Sequence, residues 1–229
     1  MRATTLKAII AIVGVFAAQR VQPQGAFVNL DFEQAIAPLV PDGGGKVPVA
    51  RALPGWTGYV GGGPVSVVWY DDRAIDAASI SVFDRLAPEQ PLRPLEGNYS
   101  AWLMGSTSLA GQQQAAAIAQ IGQIPADAKS IRFLFSTTYL PELTFAGQTI
   151  PLVELDANTS YTTVGGDISL FAGDTGELRF TVLPGHGGGL FDNIQFSPVA
   201  IPEPTTLVLS LLGVLIVGCR AKGSVFRAG

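Results

Sequence analysis

The side chains best suited to catalysis are scarce in this sequence, which contains one histidine, His186, and one cysteine, Cys219. A Ser-His-Asp arrangement would have to use His186, which stands in the glycine-rich run Gly185-His186-Gly187-Gly188-Gly189. No Gly-x-Ser-x-Gly nucleophile elbow accompanies that run, and one histidine cannot build a multi-histidine zinc site. We therefore expect a non-catalytic protein with a flexible glycine hairpin at His186. Paired carboxylates for glycoside hydrolysis stay open as an alternative.

Three acidic residues could form a metal site if the first and last strands of the domain lie side by side. Asp31 and Glu33 belong to the first candidate strand, and Asp192 belongs to the last. Hard carboxylate oxygens of this kind suit Ca²⁺. The alternative is that Asp31 and Glu33 are solvated strand residues and that Asp192 marks a turn or bulge. Beyond this possible structural calcium ion, we expect no cofactor.

Aromatic side chains offer a second kind of site, because flat rings can stack on the pyranose rings of a polysaccharide. The candidates are Trp56, Tyr59, Trp69, Tyr70, Tyr99 and Trp102. Trp56 and Tyr59 are the best patch, since they follow the turn at Pro54-Gly55. The competing interpretation is that these rings pack in the core or at its rim, as aromatic residues commonly do in β-sandwiches.

Composition limits the class of protein. Of 229 residues, 48% are hydrophobic and only 14% are charged, and 27 glycines and 16 prolines mark frequent turns. The net charge of −4, without a basic stripe in the middle of the chain, argues against a nucleic-acid partner. The one cysteine, Cys219, lies near the carboxyl end of the sequence, so residues 27–198 can form no disulfide.

Short runs with a period of two predict β-strands at regular intervals. No long helical pattern interrupts them, so the sequence predicts an all-β, two-sheet, jelly-roll-like sandwich. Residues 112–117 favour a helix by propensity, but the alternation that follows favours a strand. The predicted strands are Phe27–Glu33, Val65–Tyr70, Ser79–Phe83, Tyr99–Met104, Ala117–Ile121, Ser130–Ser136, Leu143–Phe145, Thr149–Leu152, Tyr161–Val164, Asp167–Phe171, Glu177–Val182 and Leu190–Ser197.

The amino terminus has the pattern of a secretory signal peptide. Arg2 and Lys7 precede an apolar stretch of residues 8–18 that is short for a membrane span. Cleavage is expected near Ala17 or Ala18, or after Ala26. We assign 1–26 to the signal peptide and 27–198 to the cargo domain, which is then exported.

The carboxyl-terminal region, 199–229, combines three features in a fixed order. Pro202-Glu203-Pro204 comes first. An apolar run follows, which we predict to be a transmembrane helix over 205–221. The basic residues Arg220 and Lys222 stand at the end of this helix. Proline restricts its own φ and the residue before it, so Glu203 is held extended and exposed. The apolar run is short for a permanent anchor, which favours a transient, processed one.

This tripartite end resembles the sorting signal of PEP-CTERM proteins, which occur in Gram-negative bacteria that make exopolysaccharide. The resemblance implies that an exosortase recognises the tail and cuts near the Pro202-Glu203-Pro204 motif. It also implies a transient stay in the inner membrane and then the outer surface or the extracellular matrix. The implied function is that of a non-catalytic envelope or matrix protein; the alternative is a carbohydrate-binding module that tethers the cell or its matrix to polysaccharide.

The cargo region is also similar to uncharacterised PEP-CTERM cargo domains in three short motifs. These are Asn29-Leu30-Asp31-Phe32-Glu33 near its start, Pro54-Gly55-Trp56, and Phe191-Asp192-Asn193-Ile194-Gln195-Phe196 near its end. Similar first and last strands occur in galactose-binding-like jelly rolls, where they lie side by side. The resemblance supplies no catalytic residue.

Overall fold

The computed structural model describes residues 25–201, apart from 75, 88–91, 107–112 and 138. Within these residues the chain is almost entirely β-structure, with one short helix, α1 (Val49–Ala52), and one 3-10 turn, Ser169–Phe171. The strands are β1 (Lys46–Pro48), β2 (Thr57–Val60), β3 (Gly63–Val65), β4 (Val67–Tyr70), β5 (Ser79–Asp84), β6 (Tyr99–Met104), β7 (Ala116–Gln123), β8 (Ser130–Phe135), β9 (Glu142–Phe145), β10 (Gln148–Thr149), β11 (Leu152–Ala157), β12 (Thr162–Asp167), β13 (Thr175–Val182) and β14 (Gly188–Ser197).

The strands form two sheets. The eight-stranded sheet has the order β1-β4-β5-β6-β14-β8-β12-β11, and the six-stranded sheet has the order β10-β9-β13-β7-β2-β3. Within the sheets the strand pairs are antiparallel except β4 with β5. Neighbours in space are mostly distant in sequence, as in jelly rolls. The predicted all-β, two-sheet, jelly-roll-like sandwich is confirmed.

Alternating apolar residues of both sheets meet in one core between them. In β13, Leu178, Phe180 and Val182 are buried, while the residues between them are half-buried. The ring of Phe180 from the six-stranded sheet lies 5.1 Å from that of Phe133 and 5.7 Å from that of Phe191 in the eight-stranded sheet. Edge-on contacts of this kind join the two sheets and add to the hydrophobic stabilisation.

Several predicted strands match the structure closely because their patterns are local and strong. The strand predicted at Tyr99–Met104 is β6, and the one at Ser130–Ser136 is β8 with one residue fewer. The ambiguous glutamine-alanine stretch becomes a strand, β7, from Ala116. The predicted strand Leu143–Phe145 lies within β9, and the one that begins at Thr149 overlaps β10, which pairs with β9 across Ala146 and Gly147. The last predicted strand corresponds to β14, which begins two residues earlier.

The predicted strand over Phe27–Glu33 is wrong. This segment contains turns, and Asn29 and Phe32 adopt left-handed backbone conformations with φ of 52° and 58°. It lies next to the last strand nonetheless, because the Ile194 N–H donates to the Leu30 carbonyl oxygen at 2.9 Å. An isolated parallel bridge between Ala26 and Gln123 ties its start to β7.

The chain also changes sheets where the sequence predicts a single strand. The predicted strand Val65–Tyr70 is interrupted at Ser66: β3 belongs to the six-stranded sheet and β4 to the eight-stranded sheet. Conversely, Gly165 and Gly166 lie inside β12 rather than between two strands. The residues predicted as a strand after them form the 3-10 turn.

The predicted signal peptide, except for its last two residues, and the predicted helix over 205–221 lie outside the described residues. Across residues 25–201, with the gaps given above, no helix has the length and apolar character needed to cross a membrane.

Candidate functional site

Trp56 lies in the core rather than on the surface. Its side chain is only 4% exposed, and its ring packs between Phe32 at 5.8 Å and Phe180 at 6.2 Å. The indole Nε1–H donates to the Asn29 carbonyl oxygen at 2.9 Å. A sugar ring cannot reach this indole in the folded protein, so the prediction that Trp56 stacks on a polysaccharide is wrong.

Tyr59, the other predicted sugar-binding residue, is on the solvent side of the six-stranded sheet. Side chains alternate along β2, so that Gly58 faces the core while Thr57 and Tyr59 face outward. A Cβ atom at Gly58 would lie 2.8 Å from Ile80 Cδ1 and 3.0 Å from Val65 Cγ2, on the core side of the strand. The core-facing position of Gly58 is consistent with the outward position of Tyr59.

The outward residues around Tyr59 form layers across the strands. In one layer Tyr59 pairs with Ala117, which in turn pairs with Thr181. In the next layer Ala119 stands between Thr57 and Arg179, and beyond it Ile121 pairs with Glu177. We call the outward side chains of Thr57, Tyr59, Ala119, Ile121, Glu177 and Arg179 the six-stranded face.

Two small residues of β7, Ala117 and Ala119, form a shallow floor in the middle of this face, which we call the alanine floor. Ala117 and Ala119 project outward yet are only 4% and 2% exposed, because longer neighbouring side chains cover them. At the far end Ile121 is 68% exposed. A depression of about 220 Å³ lies over this floor, with Tyr59, Ala119, Ile121 and Glu177 in its lining.

An ion pair holds the polar side of the six-stranded face in place. The Arg179 Nε–H donates to Glu177 Oε1 at 2.8 Å, and the guanidinium lies 4.1 Å from the centre of the Tyr59 ring. Partial burial lowers the pKa of Arg179, but the hydrogen bond and charge of Glu177 outweigh it, so the net shift is upward and the guanidinium stays charged. The stacked cation also restricts the tyrosine ring.

The face therefore combines a half-buried aromatic ring, an exposed apolar side chain and hydrogen-bonding groups of both kinds. Arg179 supplies donors, Glu177 supplies acceptors, and the hydroxyl of Thr57 can do either. This arrangement is suited to binding a polar, hydroxyl-rich ligand with apolar ring faces.

The predicted calcium residues are only partly brought together. Glu33 and Asp192 both hold the segment before β6: Glu33 Oε1 accepts from the backbone N–H groups of Asn98 and Tyr99 at 2.6 and 2.9 Å. Asp192 Oδ2 accepts from the Ser100 hydroxyl at 2.5 Å. Asp31 is exposed, and its carboxylate accepts from the Glu33 N–H. Among the described residues no three acidic, histidine or cysteine side chains are grouped to hold a metal ion.

Two buried carboxyl groups, those of Asp192 and Asp71, have raised pKa values. Burial raises the pKa of Asp192 to about 6, although hydrogen bonds from Ser100 and the Glu96 N–H oppose the shift. Burial likewise raises the pKa of Asp71 to about 6, against a hydrogen bond from the Asp84 N–H and with the nearby Asp84 charge adding to the rise. Both side chains are at least 95% buried, so they stabilise loops rather than meet a ligand.

His186 lies in the turn before β14, and its ring packs beside that of Tyr139 with centroids 5.3 Å apart. Within the part of the chain that the structure describes, no hydrogen bond joins it to a serine or a carboxylate. The predicted glycine turn around it is present, since Gly185 and Gly187 have φ of 81° and 71°. The sorting residues Pro202, Glu203, Pro204, Arg220 and Lys222 lie outside the described residues.

Sequence reasoning did not find Arg179, Glu177 or Ala119 as site residues. The signal was present in the alternation of β13, where charged and polar residues at 177, 179 and 181 face away from the apolar ones. What the sequence lacks is the pairing of β13 with β7, which puts Arg179 opposite Ala119 although they are far apart in the chain.

No protein-family model matches this sequence, and no curated protein is significantly similar to it. Solved structures with a similar fold include a Stig cyclase from Fischerella sp. TAU, which is 17% identical with a TM-score of 0.44, over 74% of this chain and 94% of that one. A family 61 carbohydrate-binding module in complex with β-1,4-galactotriose is 13% identical, with a TM-score of 0.41 over 76% and 98% of the two chains.

A family 11 carbohydrate-binding module from Clostridium thermocellum, in complex with a β-1,3-1,4-mixed-linked tetrasaccharide, is 12% identical with a TM-score of 0.37. The match covers 69% of this chain and 96% of that module. These neighbours include both enzymes and binding modules, at identities that do not transfer a function.

Proposed function

We propose that this chain is an exported, non-catalytic protein of the cell envelope or extracellular matrix, and that its sandwich binds neutral polysaccharide on the six-stranded face. The observation that carries the binding proposal is the fixed arrangement of Tyr59 under Arg179 and beside the alanine floor. A binding site whose side chains are already ordered loses little conformational entropy when a ligand arrives.

The length of the face fits an extended chain of sugars. Along β7, the Tyr59 layer and the Ile121 layer are four residues apart, which corresponds to about 13 Å. A saccharide along β7 would lie on Ala119, with apolar contacts to Tyr59 at one end and Ile121 at the other. Its hydroxyl groups would meet Arg179 and Glu177 on one side. An open, shallow site of this form admits the interior of a polymer as well as its ends.

Titration calorimetry and affinity electrophoresis with a panel of neutral soluble polysaccharides test this function. We expect one or more of them to bind the wild-type domain, and Tyr59→Ala to weaken that binding at least tenfold, equivalent to about 1.4 kcal/mol. Tyr139→Ala is the matched control, because Tyr139 is 59% exposed, its ring lies against His186, and it is not part of the lining of the depression. Tyr59→Phe keeps the ring and should keep most of the affinity. The absence of binding across the panel, or equal affinities for Tyr59→Ala and wild type, would show that the face has another role.

The location part of the proposal is supported by the terminal sequence features. A predicted signal peptide, Pro202-Glu203-Pro204, an apolar run and basic residues at Arg220 and Lys222 form the order of a sorted and processed tail. We propose an exosortase as the processing partner, with passage through the inner membrane of a Gram-negative bacterium before release to the outer surface or matrix.

Replacing Pro202-Glu203-Pro204 by three alanines tests the processing. In a strain with an intact exosortase, we expect the altered precursor to stay uncleaved in the membrane fraction, whereas the wild-type protein is shortened at its carboxyl terminus. Intact-mass measurement of both proteins distinguishes these states. An altered protein of the same mature mass and location as wild type would contradict the sorting proposal and leave the binding proposal standing.

A further inference from the structure

A second cavity lies on the opposite side of the molecule, over the outer surface of the eight-stranded sheet. Its volume is about 490 Å³, and the residues lining it include Arg73, Arg93, Trp102, Ser136, Ser160 and Leu190. We call it the arginine cavity. It shares no lining residue with the depression on the six-stranded face, so it does not depend on the function proposed above.

The floor of the cavity is an aromatic side chain with an unused hydrogen-bond donor. Trp102 is 92% buried, since only 8% of it is exposed, and its indole packs edge-on against Phe83 at 6.0 Å. The Nε1–H has no acceptor among the described residues. A buried donor left in this state costs about 1–3 kcal/mol. An acceptor atom brought by a ligand would recover that free energy.

The indole has room at this edge because Gly188, which pairs with Met104 and lies diagonally across from Trp102, has no side chain. Gly188 pairs with β6 next to Trp102, and a Cβ atom at this position would overlap the Cε2 and Cζ2 atoms of the indole. Cε2 is bonded to Nε1, so the edge of the ring that bears the donor is the edge that Gly188 leaves room for. Gly188 itself lines the cavity.

Two positively charged side chains line the same cavity as this indole. Arg73 and Arg93 both line the cavity, while no aspartate or glutamate of the described residues does so. This is notable in a chain whose net charge is −4. The Arg93 Nη1 donates to the carbonyl oxygens of Arg85 and Ala87, both at 3.0 Å. The guanidinium is therefore held in one place with other N–H groups left to bind an anion.

The remaining lining fits a sugar better than a simple inorganic anion. The Ser136 hydroxyl accepts from the Leu190 N–H at 2.9 Å, so its own proton remains available for a ligand oxygen. Ser160 adds a second hydroxyl at the rim. The side chains of Leu92, Leu95 and Leu190 provide apolar surface next to Trp102. Cavities of this volume commonly hold small organic ligands.

We propose that the arginine cavity binds a sugar that carries a carboxylate, such as a uronic acid unit of an acidic polysaccharide. The carboxylate is received by the guanidinium groups of Arg73 and Arg93, a planar pairing that can be bidentate. A ring or carboxylate oxygen accepts from the Trp102 Nε1–H, and the serine hydroxyl groups bind the sugar hydroxyls. Together with the site proposed on the six-stranded face, the arginine cavity would give the domain two saccharide sites of different charge preference, one on each sheet.

Titration of the wild-type domain with D-galacturonate, its methyl ester and galactose tests this inference. We expect saturable binding of the acid, at least tenfold weaker binding of the ester and of galactose, and a loss of affinity as salt is added. Equal binding of acid and ester would overturn the proposal, and so would the absence of binding by the acid.

Substitutions assign the binding to this cavity. Arg73 is exposed, so Arg73→Gln should fold normally and weaken galacturonate binding at least about tenfold. Lys129→Gln, which removes an exposed positive charge outside the cavity, should leave the affinity unchanged. Trp102→Phe removes the Nε1–H and keeps a ring, and we expect a several-fold loss. Tyr59→Ala should have no effect. Affinity that survives Arg73→Gln, or that disappears with Tyr59→Ala, would place the acid elsewhere and contradict the proposal.

Discussion

The indole Nε1 of Trp56 donates a hydrogen bond of 2.9 Å to the carbonyl oxygen of Asn29, and the Asn29 side chain returns one to the Pro54 carbonyl oxygen at 3.1 Å. The asparagine Oδ1 also accepts from the Gln34 N–H at 2.9 Å. These bonds hold Asn29 in its left-handed conformation, which asparagine tolerates better than most residues. Two motifs that are far apart in sequence therefore form one buried junction.

Breaking this junction should destabilise the fold. Trp56→Phe keeps a ring in the core but leaves the buried Asn29 carbonyl oxygen without its donor, which we expect to cost about 1–3 kcal/mol. Trp69→Phe is the matched control: Trp69 is half-buried with Lys46 over its ring, and the change should cost less than about 1 kcal/mol. Urea unfolding of the three proteins measures the difference. Equal midpoints for Trp56→Phe and wild type would show that the hydrogen bond contributes nothing to stability.

Gly166 should be intolerant of even one added methyl group. A Cβ atom there would lie 2.6 Å from Ile150 Cγ2 and 2.9 Å from the Pro151 carbonyl oxygen, inside the sheet. We expect Gly166→Ala to lower the free energy of unfolding by about 1–3 kcal/mol through overpacking. Gly43→Ala is the control, because no atom lies within 4 Å of an added Cβ there. It should change stability by no more than about 0.5 kcal/mol. A wild-type melting temperature for Gly166→Ala would show that β12 shifts at little cost.

A comparison of β6 and β8 with the two glycines of β12 shows which parts of the fold can be predicted from the sequence. Strands such as β6 and β8 have apolar patterns that no competing local structure matches, so the sequence locates them well. Gly165 and Gly166 indicate a turn by local rules, but the close approach of neighbouring strands decides their conformation. That approach depends on the pairing of the strands, which a single sequence does not contain.

The site residues could be predicted only in part, for a related reason. Aromatic residues indicate a saccharide site, yet the sequence does not tell an outward ring from a buried one until the register is known. Tyr59 faces outward and Trp56, three residues earlier, faces the core. Segment Phe27–Glu33 alternates like a strand, but the hydrogen bonds of Asn29 to Pro54 and Gln34 stabilise turns instead. Distant partners override the local pattern in both cases.

The stability of the domain should fall as the pH rises through 6. The folded-state pKa of Asp71 is about 6, above its ordinary value of 3.8, so the folded protein holds this proton more tightly than the unfolded chain. Its contribution is fully present below pH 3.8 and is lost as the pH rises through 6. The loss is at most about 3 kcal/mol, from a pKa difference of about two units.

Asp71→Asn tests this dependence because asparagine keeps the acceptor for the Asp84 N–H and cannot ionise. We expect the variant to be more stable than wild type at pH 7, with a difference that shrinks towards pH 4. Some dependence remains, since Asp192 has a similarly raised pKa. Asp127→Asn, at an exposed position, should follow the wild-type curve. Melting temperatures across this range measure the effect, and parallel curves for Asp71→Asn and wild type would contradict it.

A large side chain on the alanine floor should block saccharide binding without disturbing the core. Ala119 projects outward between Thr57 and Arg179, so Ala119→Phe fills the depression and displaces the guanidinium from Tyr59. We expect at least a tenfold loss of affinity for the neutral polysaccharide that the wild-type domain binds. The melting temperature should change little, because the new ring adds no volume between the sheets.

Ala157→Phe is the matched control for this change. Ala157 is exposed at the end of β11 in the other sheet, so the same substitution there should leave polysaccharide affinity unaltered. Galacturonate binding should also be unaffected by Ala119→Phe, since the arginine cavity lies on the opposite sheet. Retention of neutral polysaccharide by a well-folded Ala119→Phe variant would mean that the ligand does not lie across the six-stranded face, whatever Tyr59→Ala does to the affinity.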